Sequence, residues 1–234
     1  MNPIETKLQS QTFQGQSFRH TLVREAAAEA ARSLIVLVPN FMGIVPATTE
    51  LAREFARPGT EVLVLDVFGD NRPSNHQEAA ALSESARSDP RTLTEQGRVA
   101  IEACLAQQRF GLDRVSLLGF CFGGAVALEL ARTGLPVHAV VALHADLSTQ
   151  WSADQIQHKS RVLTIQGSAD PLVPMAQIQS FHQEMSRFAV EWRLTLLGGL
   201  LHAFTDPDAN VPGVARYDAA GRQHSFEQAR AFVA

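Results

Sequence analysis

The apolar positions of this chain fall into short, dense runs separated by helix-length amphipathic stretches. Residues 34–38, 62–65, 115–118, 139–143 and 162–165 are nearly continuous in Leu, Ile, Val and Ala. Runs of this length and density predict strands covered on both faces. Residues 192–197 form a weaker run of the same kind. Between the runs the period lengthens. Residues 46–56 open on Pro46, which suits a first helical turn. Residues 91–107 carry Leu93, Val99, Ile101 and Leu105 toward one side. Residues 122–132 are rich in Ala and Leu and stop before Thr133-Gly134, while 174–187 and 217–232 complete the helical set. The segment before Ala26 gives a weak signal for an antiparallel edge hairpin. Residues 68–90 are polar and rich in turn formers, and read as a long loop of the kind used as a lid or pocket wall. Repeated strand–helix alternation predicts right-handed crossovers and an α/β fold, a doubly wound and mostly parallel sheet with helices on both faces. With no internal repeat or linker, residues 1–234 are expected to form one domain.

Composition narrows the partners. A chain of 234 residues buries roughly three-quarters of its unfolded surface, so it needs no disulfide or metal staple. The formal net charge is −4 and no basic run occurs, which argues against nucleic acid, where Lys and Arg supply most of the affinity. No run of about 18 apolar residues predicts a membrane span. The polar start of the sequence lacks the apolar core of a signal peptide. The expected setting is therefore a reducing cytoplasm, which keeps a thiol reactive. The two cysteines, Cys104 and Cys121, show no metal-ligand spacing. Cys104 sits among Ile101, Ala103 and Leu105 and reads as core.

Cys121 has a different setting. The strand ending at Leu118 runs into Gly119-Phe120-Cys121-Phe122-Gly123-Gly124, and a helix begins at once. The G-x-S-x-G nucleophile elbow has this form with Ser at its centre. The nucleophile occupies a strained turn, and side chains two positions away on either side would strike backbone. The helix N-terminus beneath the thiol favours its anionic form. A thiol nucleophile needs a base, and the base an orienting acid. Asp170 lies in the loop after residues 162–165, the expected place for the acid, although an Asx turn or helix cap would also explain it. His202 follows the last strand and a Gly198-Gly199 turn, and is the histidine with the order and position of the base. The oxyanion hole would use the amides of Phe122 and of Phe41, the latter in the loop after residues 34–38. Asn40, His144 and Arg72 are candidates for the substrate pocket, each with a packing or surface role as the competing explanation. Arg87 and Arg91 flank the long loop in the same way as Arg72.

G-F-C-F-G-G at 119–124, G-x-x-D-P-L-V-P at 167–174, H-A-F at 202–204 and Tyr217-Asp218-Ala219-Ala220 together resemble the dienelactone hydrolase family. The resemblance implies an α/β-hydrolase fold and a Cys–His–Asp triad on Cys121, His202 and Asp170. It also implies a monomer or weak homodimer with no metal and no organic cofactor, acting on a small-molecule ester or lactone. The chain departs from the pattern twice. Asn40 stands where dienelactone-cleaving members tend to carry a Glu. Thr205-Asp206-Pro207-Asp208 stands where they have an Arg after the catalytic His, which disfavours an anionic substrate if Asp206 faces the pocket. The expected chemistry is ester or lactone hydrolysis through an acyl-thioester. Thioesterase or acyltransferase action at the same site, and a non-catalytic protein that binds a small molecule or senses oxidants through Cys121, are the alternatives.

Overall fold

Strands that are apolar on both faces need cover on both faces, and the chain supplies it from two sets of helices. The computed structural model describes residues 4–26 and 30–234. In chain order the elements are β1 (Ile4–Phe13), β2 (Gln16–Glu25), β3 (Ser33–Val38), α1 (Pro46–Arg53), β4 (Thr60–Val64), α2 (His76–Ser88), α3 (Pro90–Leu105), β5 (Val115–Phe120) and α4 (Phe122–Arg132). They continue with β6 (Ala139–Leu143), β7 (Arg161–Gly167), α5 (Met175–Met185), β8 (Trp192–Leu197), β9 (Asn210–Val211), β10 (Ala215–Arg216) and α6 (Ala219–Phe232). Eight strands form one sheet in the order β1-β2-β4-β3-β5-β6-β7-β8, and β9 pairs with β10 separately. From β4 to β8 the sheet is parallel, whereas β1–β2 and β2–β4 are antiparallel.

The period of two along each strand sorts the core into two layers. Leu34, Val36 and Val38 of β3 face the layer that holds Leu93 and Ile101 of α3, Val126 and Leu130 of α4, and Phe181 and Met185 of α5. Ile35 and Leu37 face the other layer with Ala52 of α1 and Phe226, Ala229 and Phe232 of α6. β3 is followed by its neighbour β4 on one side, and the chain then crosses to β5 on the other. The C-terminal ends of β3 and β5 therefore form a topological switch point, where open parallel sheets bind ligands.

Two segments differ from expectation. The weakly signalled N-terminal hairpin is a regular pair of strands joined at Gln14-Gly15, both with positive φ, which is the backbone of a type I′ hairpin turn. The stretch 68–90 is not an irregular loop throughout, because α2 occupies most of it. Asn75 caps that helix by accepting from the Glu78 amide at 3.0 Å, and Glu78 reaches back to the Ser74 amide at 2.8 Å. Its buried face is narrow, with Ala79 and Ser83 one turn apart, so few apolar residues announce it. Asp89 then caps α3 through the Thr92 amide, with Pro90 opening the helix.

If Asn75 nucleates α2, Asn75→Ala lowers stability by about 1 kcal/mol and Asn75→Asp keeps most of it. The midpoint of urea unfolding measures both, and an unchanged midpoint in Asn75→Ala contradicts the cap.

Candidate active site

At the end of β5 the chain turns into α4 through one residue. Cys121 has φ 53° and ψ −120°, an uncommon and strained conformation for a residue with a side chain. Glycines make the turn possible. A Cβ on Gly119 would stand 2.1 Å from the Gly123 carbonyl oxygen, and one on Gly123 would stand 2.1 Å from that of Val38. The first turn of α4 therefore rests directly on the end of β3. The same contact brings the β3 loop beside the elbow. There the Asn40 side chain accepts from the Met42 amide at 3.0 Å, and its carbonyl accepts from Gly43 at 2.9 Å. Among the described residues, the amides of Phe41 and Phe122 have no protein acceptor. The Phe122 ring stacks on Phe68 at 5.6 Å, and the Phe41 ring lies 5.6 Å from that of His76.

Two further loops meet at this edge. A Cβ on Gly167 would lie 2.3 Å from the Leu200 carbonyl oxygen, and the Ala169 amide donates to that oxygen at 3.0 Å. The loop after β7 is thus pressed against the loop after β8. His202 is fixed further by its own backbone, which donates to Val214 at 3.0 Å and accepts from Arg216 at 3.1 Å. The result is a continuous chain of contacts. His202 Nδ1 lies 2.7 Å from Asp170 Oδ2, and His202 Nε2 lies 3.1 Å from Cys121 Sγ. Asp170 Oδ1 accepts from the Leu172 amide at 2.8 Å. Asp170 and His202 are buried, and Cys121 is half-buried. Burial alone would lower the His202 pKa, but hydrogen bonds to Asp170 and Cys121, with their charges, push it up to about 10. Both contacts therefore favour the protonated ring.

The other sequence candidates have varied places. Asn40 is half-buried and spends its amide oxygen inside its own turn. Arg72 is exposed, on the loop after Asp70. Arg87 pairs with Asp146, and the Arg91 guanidinium lies 5.2 Å over the Trp151 ring. Asp206 accepts from the Asp208 amide at 3.0 Å and so closes a turn. His144 is not an open wall: it is buried against His202 and Phe204 and hydrogen-bonded to Thr205 at 2.8 Å. Neither Thr205 nor Phe68 stood out in the sequence, since a long-range pair leaves no local signal. Cys104 is fully buried, and burial pushes its thiol up to about 11. Among the described residues no cluster of His, Cys, Asp or Glu could hold a metal ion, and no helix is long and apolar enough to cross a membrane.

Known proteins share this fold. A solved structure of a dienelactone hydrolase-like promiscuous phosphotriesterase from metagenomic libraries superposes with a TM-score of 0.89 at 28% identity, covering 98% of this chain and 97% of that one. The mouse carboxymethylenebutenolidase homolog is 24% identical over 189 residues, 78% of this chain and 74% of its own length. A Bradyrhizobium protein named as a probable 2-oxo-3-(5-oxofuran-2-ylidene)propanoate lactonase is 23% identical over 180 residues, 73% of this chain and 72% of its own. The model of the dienelactone hydrolase family matches residues 19–234, and with that match over nearly the whole chain, the protein belongs to the dienelactone hydrolase family.

Proposed function

We propose that this chain hydrolyses carboxylic esters or lactones with Cys121 as nucleophile, His202 as general acid and base, and Asp170 as the group that orients His202. The observation that carries the reading is the unbroken path from Sγ to Nε2 at 3.1 Å and from Nδ1 to the carboxylate at 2.7 Å. Family membership supports the reaction class, as do two relatives, one named as a probable lactonase and one as a carboxymethylenebutenolidase homolog.

The steps follow from the groups present. His202 Nε2 takes the thiol proton, and the thiolate attacks the substrate carbonyl. Negative charge gathers on the carbonyl oxygen, where the Phe41 and Phe122 amides donate to it. The tetrahedral species collapses to an acyl-thioester as His202 gives its proton to the leaving alkoxide. In a lactone that alkoxide stays attached to the acyl group. Neutral His202 then takes a proton from water, and the hydroxide attacks the thioester. Collapse expels the Cys121 thiolate and releases the acid. Asp170 holds the ring in the tautomer and orientation that both half-reactions need.

Transfer to another acceptor would share the acyl-thioester, and added alcohols or amines during turnover distinguish it from hydrolysis. An oxidant sensor needs a reachable thiol but has no use for Asp170 behind His202. The proposal extends to one domain over residues 1–234, acting in a reducing cytoplasm as a monomer or weak homodimer, without metal or organic cofactor.

Two outcomes are expected. Cys121→Ala lowers kcat/KM for a neutral aryl ester on the order of 10³-fold or more, and mass spectrometry of the wild type finds the acyl group on Cys121; a Cys121→Ala protein with undiminished turnover contradicts the mechanism. The second concerns the His202 proton. Removing the sulfur (Cys121→Ala) or the carboxylate (Asp170→Asn) withdraws an interaction that favours the charged ring, so each substitution lowers the His202 pKa from about 10. NMR titration of the ring reads both shifts, and a wild-type ring that deprotonates at or below 6.5 contradicts the relay.

A further inference from the structure

His144 is an expensive residue for its place. It follows β6 directly, its backbone has φ 38°, and its side chain is 2% exposed. A non-glycine residue in the left-handed region stores strain. Its Nε2 lies 2.8 Å from the Thr205 hydroxyl, while Nδ1 is buried with no partner among the described residues. An unpartnered buried nitrogen carries a desolvation penalty. Leucine or phenylalanine would fill the space without it.

The rings around it give the arrangement a purpose. The His144 ring meets the His202 ring nearly perpendicularly, with centroids 5.3 Å apart and an interplanar angle of 70°. It meets Phe204 at 5.2 Å and 80°, and Phe120 at 6.2 Å. His202, Phe204 and Thr205 belong to one loop, and Phe120 directly precedes Cys121. His144 thus packs against the His202 ring and against Phe120, the chain neighbour of Cys121. Its hydrogen bond to Thr205 ties the end of β6 to the loop that carries His202. A wall held this way restricts rotation of the His202 ring away from Cys121.

We propose that His144 is a positioning residue that, anchored by Thr205, keeps the His202 ring aligned between Cys121 and Asp170. The proposal rests on the reading of His202 as the general base. Its chemistry fits that task. Burial, with the nearby His202 charge, holds the His144 pKa well below the usual histidine value. The His144 ring is therefore neutral and makes no like-charge repulsion with the imidazolium that forms on His202 during the reaction.

The test compares His144→Ala, His144→Phe and Thr205→Val with wild type, on a neutral aryl ester, with rates taken per folded molecule from urea titrations. His144→Ala is expected to lower kcat about 10- to 100-fold with KM within about twofold, as a misplaced base does. Thr205→Val acts in the same direction. Combined with His144→Phe it adds less than the product of the single effects, because both remove one contact. His144→Phe preserves ring volume, so it reports even where His144→Ala fails to fold. NMR titration of His202 gives a readout that needs no turnover, and its pKa moves in His144→Phe if the ring has shifted against its partners. Wild-type kcat with an unmoved His202 titration in His144→Phe and Thr205→Val overturns the positioning role. Cys121→Ala, run alongside, separates the two failures: retained activity there overturns the nucleophile, whereas the His202 titration still judges His144.

Discussion

The site depends on a backbone contact that no side chain could occupy. A Cβ on Gly119 or on Gly123 would stand 2.1 Å from a carbonyl oxygen, that of Gly123 or of Val38 respectively. This approach seats α4 on the ends of β3 and β5. Once α4 is there, Cys121 has little choice but the strained conformation that joins strand to helix. The same seating puts the first free amide of α4 beside the turn after β3. The placing of Cys121, its strain and the neighbouring amides are therefore consequences of one packing arrangement. A larger residue at either glycine would lift the helix and disturb all of them together.

The ionic groups around this frame hold because each is partnered. The Asp170 side chain is fully shielded, and an isolated carboxylate there would be costly. It is matched by His202 on one oxygen and by the Leu172 amide on the other. A second buried network supports the site from the far end of α4. Arg132 pairs with Glu129 at 2.8 Å and Glu184 at 2.9 Å, and donates to the Leu147 carbonyl at 2.7 Å. Those contacts join α4, α5 and the loop that leaves β6 just after His144. Breaking such a network at one member leaves an uncompensated charge, which is far worse than replacing it whole.

Legibility in the sequence followed burial. β6 and α4 were readable to the residue, because an element buried on every side is apolar along most of its length. α2 was hidden because it buries only Ala79 and Ser83 fully, so its composition resembles a loop. The hairpin was faint because β1 is mostly exposed, and only the Gln14-Gly15 turn marks it. At the site, the glycine spacing and the order of Asp170 before His202 were enough to bring forward three residues whose side chains lie in hydrogen-bond contact in the structure. The support around them was not readable. His144 and Thr205 are 61 residues apart, and neither has a local pattern that points to the other.

The two departures from the family pattern bear on substrate charge through what those side chains are already doing. The Asn40 oxygen is committed to the Met42 amide, so this residue shapes the turn that carries the Phe41 amide. Asp206 is committed to the Asp208 amide, so its carboxylate closes a turn after His202. A carboxylate-bearing substrate would need a cation of its own to offset the Asp170 charge nearby. Of the three arginines near α2, Arg87 is neutralised by Asp146 and Arg91 is laid over Trp151. Arg72 is exposed, where water and salt screen its field. Around Cys121 the aromatic pairs Phe68–Phe122 and Phe41–His76 contribute apolar surface instead. Under the proposed function, that balance favours an uncharged ester or lactone held by apolar contact.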